Sequence, residues 1–259
     1  MPPGRDWRTP ADEAEDERLQ YPDIAISYLS RNPRYRADYQ HALDLVEKRL
    51  IDADAATADL VRHWGMSFRA APAAAFDPKQ AVSRPELSPA SVVMEPAPVG
   101  FTEARPLEAQ ALGTVRARMT IGDDTHLILA DPGGDHRLWI RGQPDRPLAL
   151  MLPHGADLRI RLAAAERLRR RLRGISSGPP PLLMTTTKRH RLLTLLRVVD
   201  GRDAGASARE LAVVLISQAV TDYSAAEWAD CRERKQIGRW TRMAFELVEH
   251  GYLRLLRGG

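Results

Sequence analysis

The sequence of 259 residues contains one cysteine, Cys231, so no internal disulfide can form. It has no run of about eighteen apolar residues, which excludes a membrane-spanning helix. Met1 to Arg18 is polar and acidic and lacks the apolar centre of a secretory signal. These absences predict a cytoplasmic protein. Marks of catalysis are equally scarce. The seven histidines form no H-E-x-x-H pair, Cys231 has no cysteine neighbour with which to share a metal, and no G-x-x-x-x-G-K phosphate loop is present. Gly174-Ile175-Ser176-Ser177-Gly178 spells G-x-S-x-G, the form of a nucleophile elbow. That motif needs a strand before it and a helix after it. Here an arginine-rich helix precedes and Pro179-Pro180-Pro181 follows, so the stretch reads as a linker. The expectation is no enzyme, no cofactor and no metal site.

What the chain does have is an ordinary apolar share, 44%, and enough length to bury a core as one large domain or two modest ones. Its net charge of +4 is unevenly spread. Residues 1–100 hold 12 basic and 16 acidic side chains, and residues 157–202 hold 12 basic against 3 acidic. A basic half beside an acidic half fits a C-terminal part that meets a polyanion; a solvated arginine-rich surface would look similar.

Three parts follow one another: a helical module over 1–66, a proline-rich linker over 67–107, and a larger domain over 108–259. In the first, Ile24, Ala25, Tyr28 and Leu29 share a helical face. Asn32-Pro33 then caps and opens a second helix striped by Tyr35, Tyr39, Ala42, Leu43, Val46 and Leu50. The linker carries Pro72, Pro78, Pro85, Pro89, Pro96, Pro98 and Pro106 and reads as a semi-extended connector, with Phe76, Val92 and Val93 able to pack on a neighbour. The third part opens with four strands near Val115–Ile121, Leu127–Ala130, Leu138–Ile140 and Leu148–Leu152, a small antiparallel meander. Helices then run over about 157–173, 188–199, 207–217 and 225–249. The fold class predicted is α+β, mainly helical.

The most explicit signal lies in the last part. Ser207 and Glu210 stand in the capping-box relation, just after a leucine-rich helix that Asp200-Gly201 is expected to close. Leu211, Val214 and Leu215 give the new helix its buried side. A longer helix follows with Ile237, Trp240, Ala244, Leu247 and Val248 inward. Helix, short turn, capped helix and arginine-bearing helix together spell a helix-turn-helix DNA reader. A three-helix core with a basic surface would share the pattern, and the connection over 218–225 is longer than the usual three or four residues. The candidate DNA-contacting side chains are Arg209, Arg232, Arg234, Lys235, Arg239 and Arg242, with Lys188 and Arg189 on the preceding helix. The helix over 157–173 has Leu158, Leu162, Ala165, Leu168 and Leu172 as its apolar stripe, and its arginines are either a solvated face or phosphate contacts.

These residues also carry a resemblance. Roughly 112–257 resembles domain of unknown function 2285, through Leu127-Ile128-Leu129, Leu138-Trp139-Ile140, Arg189-His190-Arg191-Leu192, Asp200-Gly201, Gly205-Ala206-Ser207, Arg209-Glu210-Leu211-Ala212 and Gly251-Tyr252. The N-terminal part resembles the short transcriptional-regulator-like domain that often precedes it, through Trp7-Arg8 and the string Arg31-Asn32-Pro33, Tyr35-Arg36, Asp38-Tyr39. The resemblance implies a helix-turn-helix variant in regulators of proteobacterial integrative and conjugative elements, with two-domain members activating excision and transfer genes. Single-domain relatives act instead as antiactivators, so the rival expectation is a protein-interaction module that contacts another regulator or RNA polymerase with little direct DNA binding. The implied partners are double-stranded DNA at the nucleoid, and RNA polymerase or another regulator, with no membrane; a homodimer is left open. Arg234, Ile237 and Arg239 match that family's third helix, whereas Gly238 departs from its pattern.

Overall fold

The computed structural model describes residues 6–9, 18–71, 77–142 and 144–259; Phe76 lies outside them. Helix α1 (Tyr21–Leu29) is buried all round, Ile24, Ala25, Ile26, Tyr28 and Leu29 each having no exposure. Such a helix must lie inside a core, not on its surface. Asn32 caps α2 (Pro33–Glu47), its side-chain oxygen accepting from the Arg34 and Tyr35 amides at 2.9 and 3.2 Å. The expected stripe of α2 holds for Tyr35 and Ala42, with Tyr39, Leu43 and Val46 packed beside them, but Leu50 lies past the helix and is 66% exposed. A third helix, α3 (Ala53–Trp64), was not expected; Asp52 caps it and Gly65, at φ 79°, stops it.

The proline-rich stretch is more ordered than its composition implies. Met66–Ser67 (β1) pairs with Val82–Ser83 (β2), and Val92–Pro96 forms β3. A short helix α4 (Ala109–Leu112) precedes β4 (Val115–Ile121), β5 (Asp124–Leu129), β6 (His136–Ile140) and β7 (Leu148–Met151). The strand order is β4-β5-β6-β3-β7. The four expected strands are therefore present, but they are not a simple meander: β3 inserts between β6 and β7, parallel to β6 through Val92↔Leu138 and antiparallel to β7 through Met94↔Leu150. The prolines delimit this strand instead of dissolving it. Pro89 precedes it and Pro96 ends it, leaving the apolar run Val92-Val93-Met94 free to donate and accept on both sides.

One face of the sheet packs Val92, Met94, Leu127, Leu129, Leu138, Ile140 and Leu148 against Ala164 and Leu168 of α5 (Leu158–Leu172). Leu162, expected in the stripe of α5, is 48% exposed, and Arg161 and Arg167 are buried instead. Three of its arginines are neither solvated nor free for phosphate, while Arg159 and Arg169 stay exposed. Arg161 donates to the Pro85 carbonyl, Arg167 to Gly178 and Gly134, and Arg171 to Ala130 and Leu112. Each guanidinium satisfies loop carbonyls that no strand reaches.

The helices α6 (Thr186–Asp203), α7 (Ala208–Leu215), α8 (Ala225–Asp230), α9 (Arg232–Glu246) and α10 (Tyr252–Leu255) complete the chain. The largest core joins them to α1. Arg31 makes a two-pronged contact with Asp200, at 2.5 and 2.7 Å; the Tyr28 hydroxyl donates to the Leu192 carbonyl at 2.7 Å; Asn32 donates to Val248 at 3.1 Å. Asp23 accepts from Arg137 on β6 at 2.6 Å, which ties α1 to the sheet as well. Gly201, expected to end α6, sits inside it instead. An added Cβ would lie 2.5 Å from Leu211 and 3.1 Å from the Trp7 ring. The stop is Gly205, at φ 81°.

Replacing Arg31 by alanine leaves the Asp200 carboxylate, 15% exposed, without its partner. The expected loss is on the order of 3 kcal/mol in urea titrations, part of which the double variant Arg31→Ala, Asp200→Ala recovers.

Acid should also weaken the fold. Burial lowers the pKa of His126 to about 3, and burial with the Arg167 charge lowers that of His136 to about 4. Both stay neutral when folded, while the unfolded chain binds protons below about 6.5. Their contribution is complete above that pH and is lost as pH falls toward 4, by up to ~1.4 kcal/mol per unit for each histidine. Buried Asp23, raised to about 6 by burial against the pull of Arg137, acts in the opposite sense, and two histidines outweigh it. Urea midpoints at pH 7, 6 and 5 should fall in that order, and His136→Gln should flatten the trend.

Candidate nucleic-acid interface

The capping box at Ser207 forms as the sequence implies. The Glu210 amide donates to Ser207 Oγ at 3.2 Å, and Glu210 Oε2 accepts from the Ser207 amide at 2.7 Å. Leu211 and Ala212 bury α7, and Leu215 packs partly; Val214, expected inward, is 37% exposed because the helix is only eight residues long and buries a narrow side.

The long connection is a built element. Gln218–Asp222 makes a 3-10 turn around Val220, which has no exposure. The Arg209 guanidinium donates to the carbonyls of Val220 (3.1 Å), Thr221 (3.2 Å) and Tyr223. Ser224 and Glu227 then form a second capping box and open α8. The third helix is thus not continuous from 225 to 249. It breaks at Cys231, in extended backbone, whose Sγ accepts from the Arg234 amide at 3.3 Å, and it ends in a wide π turn over Leu247–Gly251.

On α9, Glu233, Ile237 and Ala244 are buried and Trp240 packs partly. Arg232, Lys235, Arg239 and Arg242 follow one another at steps of three, four and three, so they form one row roughly opposite that face. Arg232 is 86% exposed and touches Glu233; Lys235 pairs with Asp230 at 2.7 Å. The Lys235 pair is at the surface and worth little, while the Arg232 pair rests on the buried Glu233. Arg239 and Arg242 are exposed, and among the described residues neither has a hydrogen-bond or ion-pair partner. Arg234 lies off the row and donates to the Ala229 carbonyl at 2.9 Å. Gly238 sits among these cations, and nothing lies within 4 Å of a Cβ added there. Glycine inside a helix costs about 1 kcal/mol relative to alanine.

The sequence-derived candidates therefore divide. Arg232, Lys235, Arg239 and Arg242 share one exposed face, with Arg234 at its margin. Arg209 is occupied within the fold. So are Lys188, which donates to the Gly258 carbonyl at 2.8 Å over the Tyr21 ring, and Arg189, which donates to Leu19 at 3.2 Å. Arg191, not singled out from sequence, reaches Met243 Sδ from α6 at 3.6 Å and extends the basic face sideways. Its place one turn beyond Lys188 was the available signal.

Elsewhere, Ser177 of the G-x-S-x-G string is buried and donates to Asp131 at 2.8 Å, with His136 Nε2 3.2 Å from its hydroxyl. The same imidazole nitrogen lies 3.4 Å from Asp131, so the histidine does not stand between acid and hydroxyl as a triad requires. Among the described residues no cluster of three His, Cys, Asp or Glu could hold a metal, and no helix is long and apolar enough to cross a membrane.

Comparison with known families places names on these parts. Residues 151–257 match the family described as "T6SS, Transcription factor, DNA binding domain", residues 6–69 match the proteobacterial transcriptional regulator-like domain, and residues 90–150 match domain of unknown function 7012. The region that resembles domain 2285 is thus covered by two other models. No curated protein and no solved structure matches the chain. The first two matches support a DNA-binding transcriptional regulator, and neither describes an enzyme.

Removing the Ser207 hydroxyl deletes one cap and no charge. Ser207→Ala should lower stability by about 1 kcal/mol, read as a lower melting temperature. An unchanged melting temperature would contradict the role of this helix start.

Proposed function

We propose that the chain is a sequence-specific transcriptional regulator that reads double-stranded DNA with α9. One observation carries this reading: within the segment matching a DNA-binding domain, the row of Arg232, Lys235, Arg239 and Arg242 lies opposite the buried face, and two of its arginines have no partner among the described residues. Arginine forks left free on a helix suit guanine edges and phosphate oxygens. The resemblance to two-domain regulators of conjugative elements supports an activator of excision and transfer genes, acting at the nucleoid with RNA polymerase or another regulator as a second partner.

Binding titrations of the full chain test this, using genomic fragments selected for binding and scrambled duplexes at several salt concentrations. Arg239→Ala or Arg242→Ala should lose roughly 1–3 kcal/mol on the selected site alone if the residue reads a base. If it holds a phosphate, all duplexes should weaken alike and the salt slope should drop by about one. Arg209→Ala should instead lower stability, since its guanidinium holds the turn. If the row variants keep full affinity and salt dependence, α9 is not the contact and the protein-interaction reading takes its place.

A further inference from the structure

We propose that Gly238 is a contact residue, the point at which the main chain of α9 comes closest to the sugar–phosphate backbone of the duplex. This rests on the reading of α9 as the DNA-contacting helix and assigns a role to a residue that carries no side chain. Three ordinary reasons for a glycine in a helix fail here. Its backbone is not left-handed, since it is not among the residues of positive φ. No neighbouring element crowds it, since a Cβ would meet nothing within 4 Å. It does not break or end α9, which runs unbroken from Arg232 to Glu246. Gly201 and Gly251 show the contrast, because a Cβ at either would press on protein atoms at 2.5 and 3.1 Å.

Glycine is nevertheless a poor helix former, so at Gly238 the free protein carries a destabilising residue with no internal compensation. Its position explains the choice. Residues three and four away on a helix are surface neighbours, so Gly238 is bordered by Arg234, Lys235, Thr241 and Arg242. An uncovered patch of main chain with cations at three of its four neighbouring positions admits a polyanion closely at that point. The neighbouring long side chains can then close on phosphates to either side, and any side chain at 238 would stand between. The surface takes an extended polyanion of regular shape, which a duplex backbone is.

The test uses the full chain with Gly238→Ala, Gly238→Leu and Arg239→Ala, each titrated against a labelled duplex of about 30 base pairs (about three helical turns) that carries a site selected from genomic fragments, at several salt concentrations, with melting temperatures measured alongside. Gly238→Ala should raise the melting temperature, because alanine is the better helix former. It should also weaken binding about tenfold, a loss near 1.4 kcal/mol. The salt slope should match that of the unaltered chain because no charge is removed. Gly238→Leu should bind more weakly still. Arg239→Ala should weaken binding on the selected site, whether it reads a base or holds a phosphate. If both glycine variants bind like the unaltered chain while Arg239→Ala is weakened, the reading of α9 stands and the role of Gly238 falls. If Gly238→Ala lowers the melting temperature, the glycine is there for the fold and the proposal falls. If none of the three changes binding, the proposal and the reading beneath it fall together.

Discussion

The packing of α1 against α6, locked by the two-pronged contact of Arg31 with Asp200, is the constraint on which the rest of the molecule depends. An apolar helix with no exposed face has no stable existence outside a core, and this one enters the core of the C-terminal helices. The polar groups around it are then specified one by one. Tyr28 meets a carbonyl of α6, Asn32 caps α2 and reaches Val248, and Asp23 meets Arg137 on the sheet. The string Arg31-Asn32-Pro33, distinctive as a sequence, is a set of fittings between two ends of the chain. It follows that the N-terminal module and the DNA-binding segment share one core. A disturbance at α1 therefore reaches the helices that carry the basic row.

Arginine does most of the polar fitting, and this qualifies any argument from net charge. Arg161, Arg167, Arg171, Arg189, Arg197 and Arg209 all end on backbone carbonyls. A guanidinium has several donors in a fixed plane and no acceptor, so it suits loops and turns whose carbonyls lack strand or helix partners. The high basic count over 157–202 thus measures loop satisfaction as much as affinity for a polyanion. What separates the two uses is a partner within the fold, and within the row on α9 Arg239 and Arg242 lack one among the described residues.

This also explains which features were legible in the sequence. Local chemistry was: the Asn32 and Ser207 caps depend on residues three apart, and the strands from β4 to β7 on alternation within a few residues. So was the inward face of α9, since Ile237 and Ala244 follow helical spacing. Features set by distant parts of the chain were not. The strand β3 was obscured by its flanking prolines, and its place beside β6 depends on a pairing that no local pattern encodes. Gly201 reads as a helix stop because the Leu211 and Trp7 side chains that require its missing side chain meet it only through the tertiary fold. Arg209 looked free because its three carbonyl partners form only once Val220 is buried.

The site gains from the same arrangement. A reading helix must hold its side chains in fixed directions, and a long irregular connection before it would ordinarily work against that. Here the connection is itself clamped: Val220 is buried, Arg209 binds the turn from α7, Ser224 caps α8, and Cys231 caps α9. Each joint is a local hydrogen bond, and α9 is anchored beyond them by Ile237 and Ala244 in the shared core. The long connection is therefore held at each of its joints and does not loosen α9. What α9 then offers outward is a cationic row with exposed main chain beside it at Gly238.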